Sequence, residues 1–219
     1  MSRVRILVEG QTEETFVNDI LCPHLYQMGI YPHAFLFRKK GGSFAYQRVR
    51  REILNSLKED HARICTTMVD FYGMPTDWPG RVESQLCRNY QDKAQTVEQA
   101  LSEDILTEMG DSWNPIQFIP YVQMHEFEAL LFSNTSILAG SNPRISTQLE
   151  CVSQSFSCPE EINDNYDMCP SRRIKQHIEN YVKTLDGIVI ARKIGLETMR
   201  RECLHFNEWI TKLEGIGNQ

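Results

Sequence analysis

The chain has 219 residues, 41% apolar and 24% charged, with a net charge of −6. This apolar content suffices for one sizeable core, and no stretch is low in complexity. The negative balance excludes an overall basic field for nucleic acid, but not local basic strips or acidic clusters that need a cation.

The apolar run 4–8 predicts a short buried strand that stops at Glu9 and Gly10. A helix is expected from Thr12 to about residue 28. Thr12 would cap it, Glu13 and Glu14 would face the positive end of the dipole, and Phe16, Val17, Ile20 and Leu21 would share one face. "YPHAFLF" (31–37) predicts a second strand, "KKGGS" (39–43) a loop, and residues 44–57 a helix burying Val49, Ile53, Leu54 and Leu57. "ICTTMV" (64–69) predicts a third strand ending at Asp70, followed by a Pro- and Gly-rich loop at 72–80. A helix over about 92–109 precedes a fourth strand, "IQFIPYVQ" (116–123), and a helix start at "HEFEALLF". Strands alternating with helices predict an α/β fold with a mostly parallel sheet flanked by helices. Residues 140–171 read as irregular, and helix is expected again from Ser171 to the end. The expected organisation is an α/β domain over 1–135, with an irregular segment and C-terminal helices over 136–219 packed on it as an extension.

Several motifs are missing. "VEGQTE" is neither GxGxxG nor a Walker loop, "HEFEA" lacks the second histidine of HExxH, and no GxSxG occurs. Seven cysteines without a CxxC suggest reduced thiols and a cytoplasmic compartment rather than a disulfide framework or a zinc ribbon. Neither a signal-peptide pattern nor a membrane span is expected.

The acids at strand ends point to chemistry. In open parallel sheets, ligands bind beyond the carboxyl ends of the strands. Glu9 and Asp70 end the first and third strands, and Glu126 and Glu128 follow the fourth. Brought together, like charges require a proton or a cation, and oxygen donors without a His/Cys cluster favour Mg²⁺ or Mn²⁺. Two residues apart on a helix, Glu126 and Glu128 would diverge, and Glu126 is expected to face the sheet edge. Lys39 and Lys40 beside a glycine loop, and Arg172, Arg173 and Lys175 at a helix start, are candidate phosphate contacts. Lys183 is a candidate to project toward the acids. The remaining basic groups, including Arg50, Arg192 and Arg200, read as solvated helix faces.

"VEGQTEETFV", "MVDFYGMPTDWPG", "HEFEALLFS", "PSRRI" with "YVKTLDG", and "GLETMRRECLHFNEWITKLE" together resemble the DUF4276 family over almost the whole chain. The resemblance implies a TOPRIM-like fold, related to that of OLD-type nucleases. Such domains hold Mg²⁺ with a glutamate after the first strand and an Asp-x-Asp after a later one. Glu9 and Asp70 match the glutamate and the first aspartate, but Tyr72 stands at the second, so Glu126 or Glu128 would have to replace it. The expectation is a Mg²⁺-dependent nuclease acting on DNA or RNA. Glu9, Asp70, Glu126 and Lys183 would be catalytic, and Glu9, Asp70, Glu126 and Glu128 would be metal ligands. The resemblance also implies an ATPase partner and a part in phage defence. A non-catalytic module docking on an ATPase and a small-molecule phosphotransfer enzyme are the alternatives, and monomer and homodimer both remain open.

Overall fold

Strand β1 (Ser2–Val8) lies at the centre of a parallel sheet, between β2 (Ile30–Leu36) and β3 (Arg63–Asp70). Strands β4 (Phe118–Ile119) and β5 (Val122–Gln123) both pair with β3, also in parallel. The computed structural model describes residues 2–36, 45–60, 63–111, 113–162 and 165–218. Arg38, Lys39, Lys40 and the glycine loop fall outside them.

Alternation along β1 builds two cores. Val4, Ile6 and Val8 face a layer that contains Phe16, Phe127, Phe206 and Trp209, while Leu7 faces Val49, Ile53, Val97 and Leu101. The first layer joins the first helix to the C-terminal helices. The second holds the helices Tyr46–Glu59 and Tyr90–Met109. The sheet is thus covered on both faces, as near-continuous apolar strands require. The α/β architecture with helices following it in the C-terminal part is the one the alternation predicts.

Several details differ from the expectations. The first helix starts at Gln11 with Gly10 as its cap, so Thr12 lies inside it and is buried. Residues Val17–Leu21 form a π-helical turn just before Pro23. Proline has no N–H for the i→i−4 bond, and the wider turn accommodates the gap. The fourth strand is two short pieces, because Pro120 interrupts the ladder. Beside it, Thr67 Oγ1 takes up the Tyr121 N–H at 2.9 Å. Within the segment expected to be irregular, Pro143–Ser153 is helical. Asn142 caps it by accepting from the Arg144 and Ile145 N–H groups, with Pro143 in the first turn, a start signal present in the sequence. The C-terminal helical stretch is divided into Pro170–His177, a π-turn Lys183–Gly187, Ile188–Ile194, Leu196–Glu202 and Leu204–Glu214.

Candidate active site

The carboxyl ends of β1 and β3 lie side by side, with Val8 in register with Met68. Asp70 is the last residue of β3 and is 9% exposed. Its Oδ1 accepts the Phe127 N–H at 3.0 Å, which fixes the first turn of the 3-10 helix Phe127–Asn134. Its Oδ2 lies 3.3 Å from Lys183 Nζ. The same ammonium lies 3.1 Å from Glu13 Oε1 and 3.2 Å from Glu128 Oε2. Three buried carboxylates from three segments therefore meet at one lysine. Glu9, Gly10, Gln11, Thr12, Glu13, Asp70, Lys183 and Thr184 line a cavity of about 250 Å³ beside it.

Local sequence explains how each group arrives. Glu13 sits three and four residues before Phe16 and Val17, on the buried face of the first helix. Gly10 has an extended backbone, so left-handed freedom is not its purpose. A Cβ there would lie 2.6 Å from Glu13 Oε2, so the glycine leaves room for the carboxylate. Lys183 opens the π-turn 183–187, and its side chain is 33% exposed, with the Phe127 ring 5.9 Å from the ammonium.

The electrostatics follow from an unequal count. Among the described residues, Glu13, Asp70 and Glu128 share the Lys183 ammonium, and the charge of Glu9 also acts on Asp70. Burial pushes the Asp70 carboxyl well above the usual range; Lys183 opposes this, and Glu13, Glu9 and Glu128 reinforce it. Burial likewise raises Glu128, against Lys183. Burial disfavours the Lys183 ammonium, but Asp70, Glu128 and Glu13 outweigh it and hold its pKa well above the ordinary value. Lysine thus stays charged, and burial with the neighbouring acids makes Asp70 and Glu128 easier to protonate than ordinary carboxyls. Neither Glu128 oxygen accepts a hydrogen bond of good geometry among the described residues.

Glu128, rather than Glu126, reaches Lys183. The two do not share a helix, because Glu126 is the extended residue that precedes it. The Glu126 oxygens instead accept from Ser171 N at 2.8 Å and Ser171 Oγ at 3.2 Å, at the start of Pro170–His177. The basic candidates on that helix diverge. Arg173 is buried, donating to Met168 O at 2.7 Å and lying over the Phe156 ring. Arg172 lies over the Tyr166 ring, and Lys175 is exposed. Arg50 binds Asp104, Arg192 binds Asp19 and Arg200 binds Glu214, so these three hold helices together. Sequence reasoning left Glu13 out of the site; its spacing from Phe16 and Val17 was the available signal.

Among the described residues, no three His, Cys, Asp or Glu side chains close on a common point as a metal site would. The point shared by Glu13, Asp70 and Glu128 is the lysine ammonium. The seven cysteines are unpaired as thiols, and no described helix is long and apolar enough to cross a membrane. A family model described as "Domain of unknown function (DUF4276)" matches residues 8–214. Neither the curated proteins nor the solved structures contain a match.

Proposed function

The chain belongs to the DUF4276 family, and from the chemistry of its strand-end site we propose a Mg²⁺-dependent, TOPRIM-type nuclease that hydrolyses a phosphodiester of nucleic acid. One observation carries this reading: Glu13, Asp70 and Glu128 meet at the Lys183 ammonium beside a cavity at the ends of adjacent parallel strands, which Glu9 and Asp70 also line. The donors are all carboxylate oxygens, which suit Mg²⁺ or Mn²⁺ better than softer metals, and their surplus charge favours a divalent cation. Glu9 and Asp70 would hold the ion, which supplies Lewis-acid stabilisation of phosphoryl charge and a more acidic bound water.

The chain's own groups have distinct tasks in this scheme. Lys183 is partly open to the cavity and stays protonated, so it presents positive charge to a phosphate there. Glu13 and Glu128 hold the ammonium in place. The Phe127 N–H orients Asp70 through Oδ1 and leaves Oδ2 facing the cluster. Glu126 positions the Pro170–His177 helix beside the site. Cytoplasmic action with an ATPase partner in phage defence belongs to the same proposal.

A second reading has its own support. Asp70 caps the Phe127 turn and Lys183 bridges three acids, which suits a structural tie in a non-catalytic module that docks on an ATPase. Cleavage assays with single-stranded and duplex DNA and RNA, in Mg²⁺, Mn²⁺ or EDTA, separate the two. The nuclease reading expects metal-dependent cleavage that falls by about 10²-fold or more in Glu9→Gln and Asp70→Asn. A wild-type protein that cleaves none of these substrates with either metal would favour the docking module.

A further inference from the structure

A second cavity, of about 280 Å³, opens at the same edge of the sheet, and the acidic cluster does not use it. Arg88, Asn89, Tyr90 and Lys93 line it at the start of the Tyr90–Met109 helix, together with His125 and Glu161. That helix connects the parallel strands β3 and β4, so it runs back against them and begins at their carboxyl ends. His125 follows the end of β5 at the same edge. It is 3% exposed, with its ring edge-on to Phe71 at 5.5 Å, and its carbonyl accepts the Tyr72 N–H at 2.8 Å. Two residues on, the Phe127 N–H donates to Asp70. Two residues span at most about 7 Å of chain, so this cavity adjoins the strand-end site.

The charges around this cavity suit an anion. Among the described residues, neither Arg88 nor Lys93 has an ion-pair partner. Arg88 precedes the cap of a 20-residue helix and Lys93 lies in its first turn, where the dipole disfavours a cation. Asn89 Oδ1 accepts the Asp92 N–H, and the Tyr90 and Gln91 N–H groups have no acceptor among the described residues. Glu161 is the one acid lining the cavity, and its Oε2 already accepts from Ser157 N at 3.0 Å and Ser157 Oγ at 2.6 Å. Resting on the phosphodiesterase reading above, we propose that Arg88, Lys93, His125 and the first turn of this helix bind a backbone phosphate of the nucleic acid, beside the phosphodiester that is cleaved. Guanidinium, ammonium and backbone N–H groups all donate to phosphate oxygens. With a net charge of −6 the chain has no overall field for a polyanion, so its attraction must be local, as it is here. A phosphate contact carries no base information, so the pocket places the strand without selecting a sequence.

The test is fluorescence anisotropy of labelled DNA and RNA, single-stranded and duplex, with the full chain in Ca²⁺ over a range of salt concentrations. The double variant Arg88→Gln, Lys93→Gln should weaken binding of every nucleic acid that the wild type binds, by about 10-fold at about 50 mM salt. The slope of log K against log salt should become shallower by about 0.7–0.9, the share of one phosphate. The dipole disfavours both cations, so the Tm of this variant should not fall. Lys212→Gln, which removes an exposed charge outside the cavity, should change neither affinity nor slope. Wild-type affinity and slope in the double variant, an equal loss in Lys212→Gln, or no binding of the wild type to any probe would overturn the proposal. Binding that depends on Arg88 and Lys93 in a protein that cleaves nothing would uphold the phosphate pocket while removing the nuclease reading. Metal-dependent cleavage with affinity untouched in the double variant would do the reverse.

Discussion

Replacing Lys183 with methionine tests the centre of the site directly. Methionine keeps much of the length and the apolar contact with Phe127 but removes the charge. In the wild type the ammonium lies 3.1, 3.3 and 3.2 Å from Glu13, Asp70 and Glu128, whose side chains are only 3%, 11% and 1% exposed. Removing one partner of a buried ion pair costs about 3–5 kcal/mol. Two features reduce that figure. The Lys183 side chain is 33% exposed and therefore screened by water. Asp70 and Glu128, already raised by burial, can also take up protons. The expected net loss in EDTA is about 2–4 kcal/mol, or about 5–15 °C in Tm for a chain of this size.

Divalent metal should then act differently on the two proteins. At about 10 mM Mn²⁺ and a Kd of about 1 mM, a site present only in the folded state adds about 1.4 kcal/mol. The variant lacks the competing ammonium, so its carboxylates should bind the ion more tightly and regain more Tm than wild type gains. Scanning fluorimetry of both proteins in EDTA and in Mn²⁺ reads this comparison. A destabilised variant whose Tm is the same in both buffers would refute the view that these acids take a divalent ion. A variant as stable as wild type without metal would refute the charge argument itself.

Phe16 is fully buried, with the Phe127 and Phe206 rings 5.4 and 6.1 Å away, so Phe16→Ala should cost about 3–5 kcal/mol by denaturant titration. Gly80 has φ +73°, and a Cβ would lie 2.5 Å from the Thr96 carbonyl oxygen. Gly80→Ala should therefore lose about 2–4 kcal/mol, and an unchanged Tm would contradict the geometry. His205 lies 2.9 Å from Glu98; burial opposes its charge, but the Glu98 hydrogen bond and the charges of Glu98 and Glu160 prevail and raise its pKa above 6.5. That contribution is complete below the unfolded value and is lost as pH rises through the folded one. Urea midpoints should fall as pH rises above the ordinary histidine value of about 6.5, and His205→Gln should flatten the fall; parallel curves would show that His205 is not the group responsible.

Much of the scaffold was legible because its signals are local. The runs 4–8 and 64–69 are short and apolar, and each ends at a carboxylate, so the strands and the acids at their tips could be read together. The break at Pro120 and the start at Asn142–Pro143 are local too, and follow from the missing N–H and from capping chemistry. Glu13 was harder to assign, because an acid in a first helical turn already has a sufficient local reason in the dipole. Only its register with Phe16 and Val17 separates a surface acid from a buried one.

By itself, then, the sequence determined the alternation of strand and helix, the parallel sheet, and the placing of Glu9 and Asp70 at strand ends, since backbone periodicity fixes which way neighbouring side chains point. Tertiary structure alone decided how the charges are matched. Lys183 meets Asp70 across 113 residues, Glu128 joins them, and Glu126 turns away to Ser171. Coulomb forces act through space and grow as water is excluded, so which cation answers a buried carboxylate depends on which distant segments the core packs together.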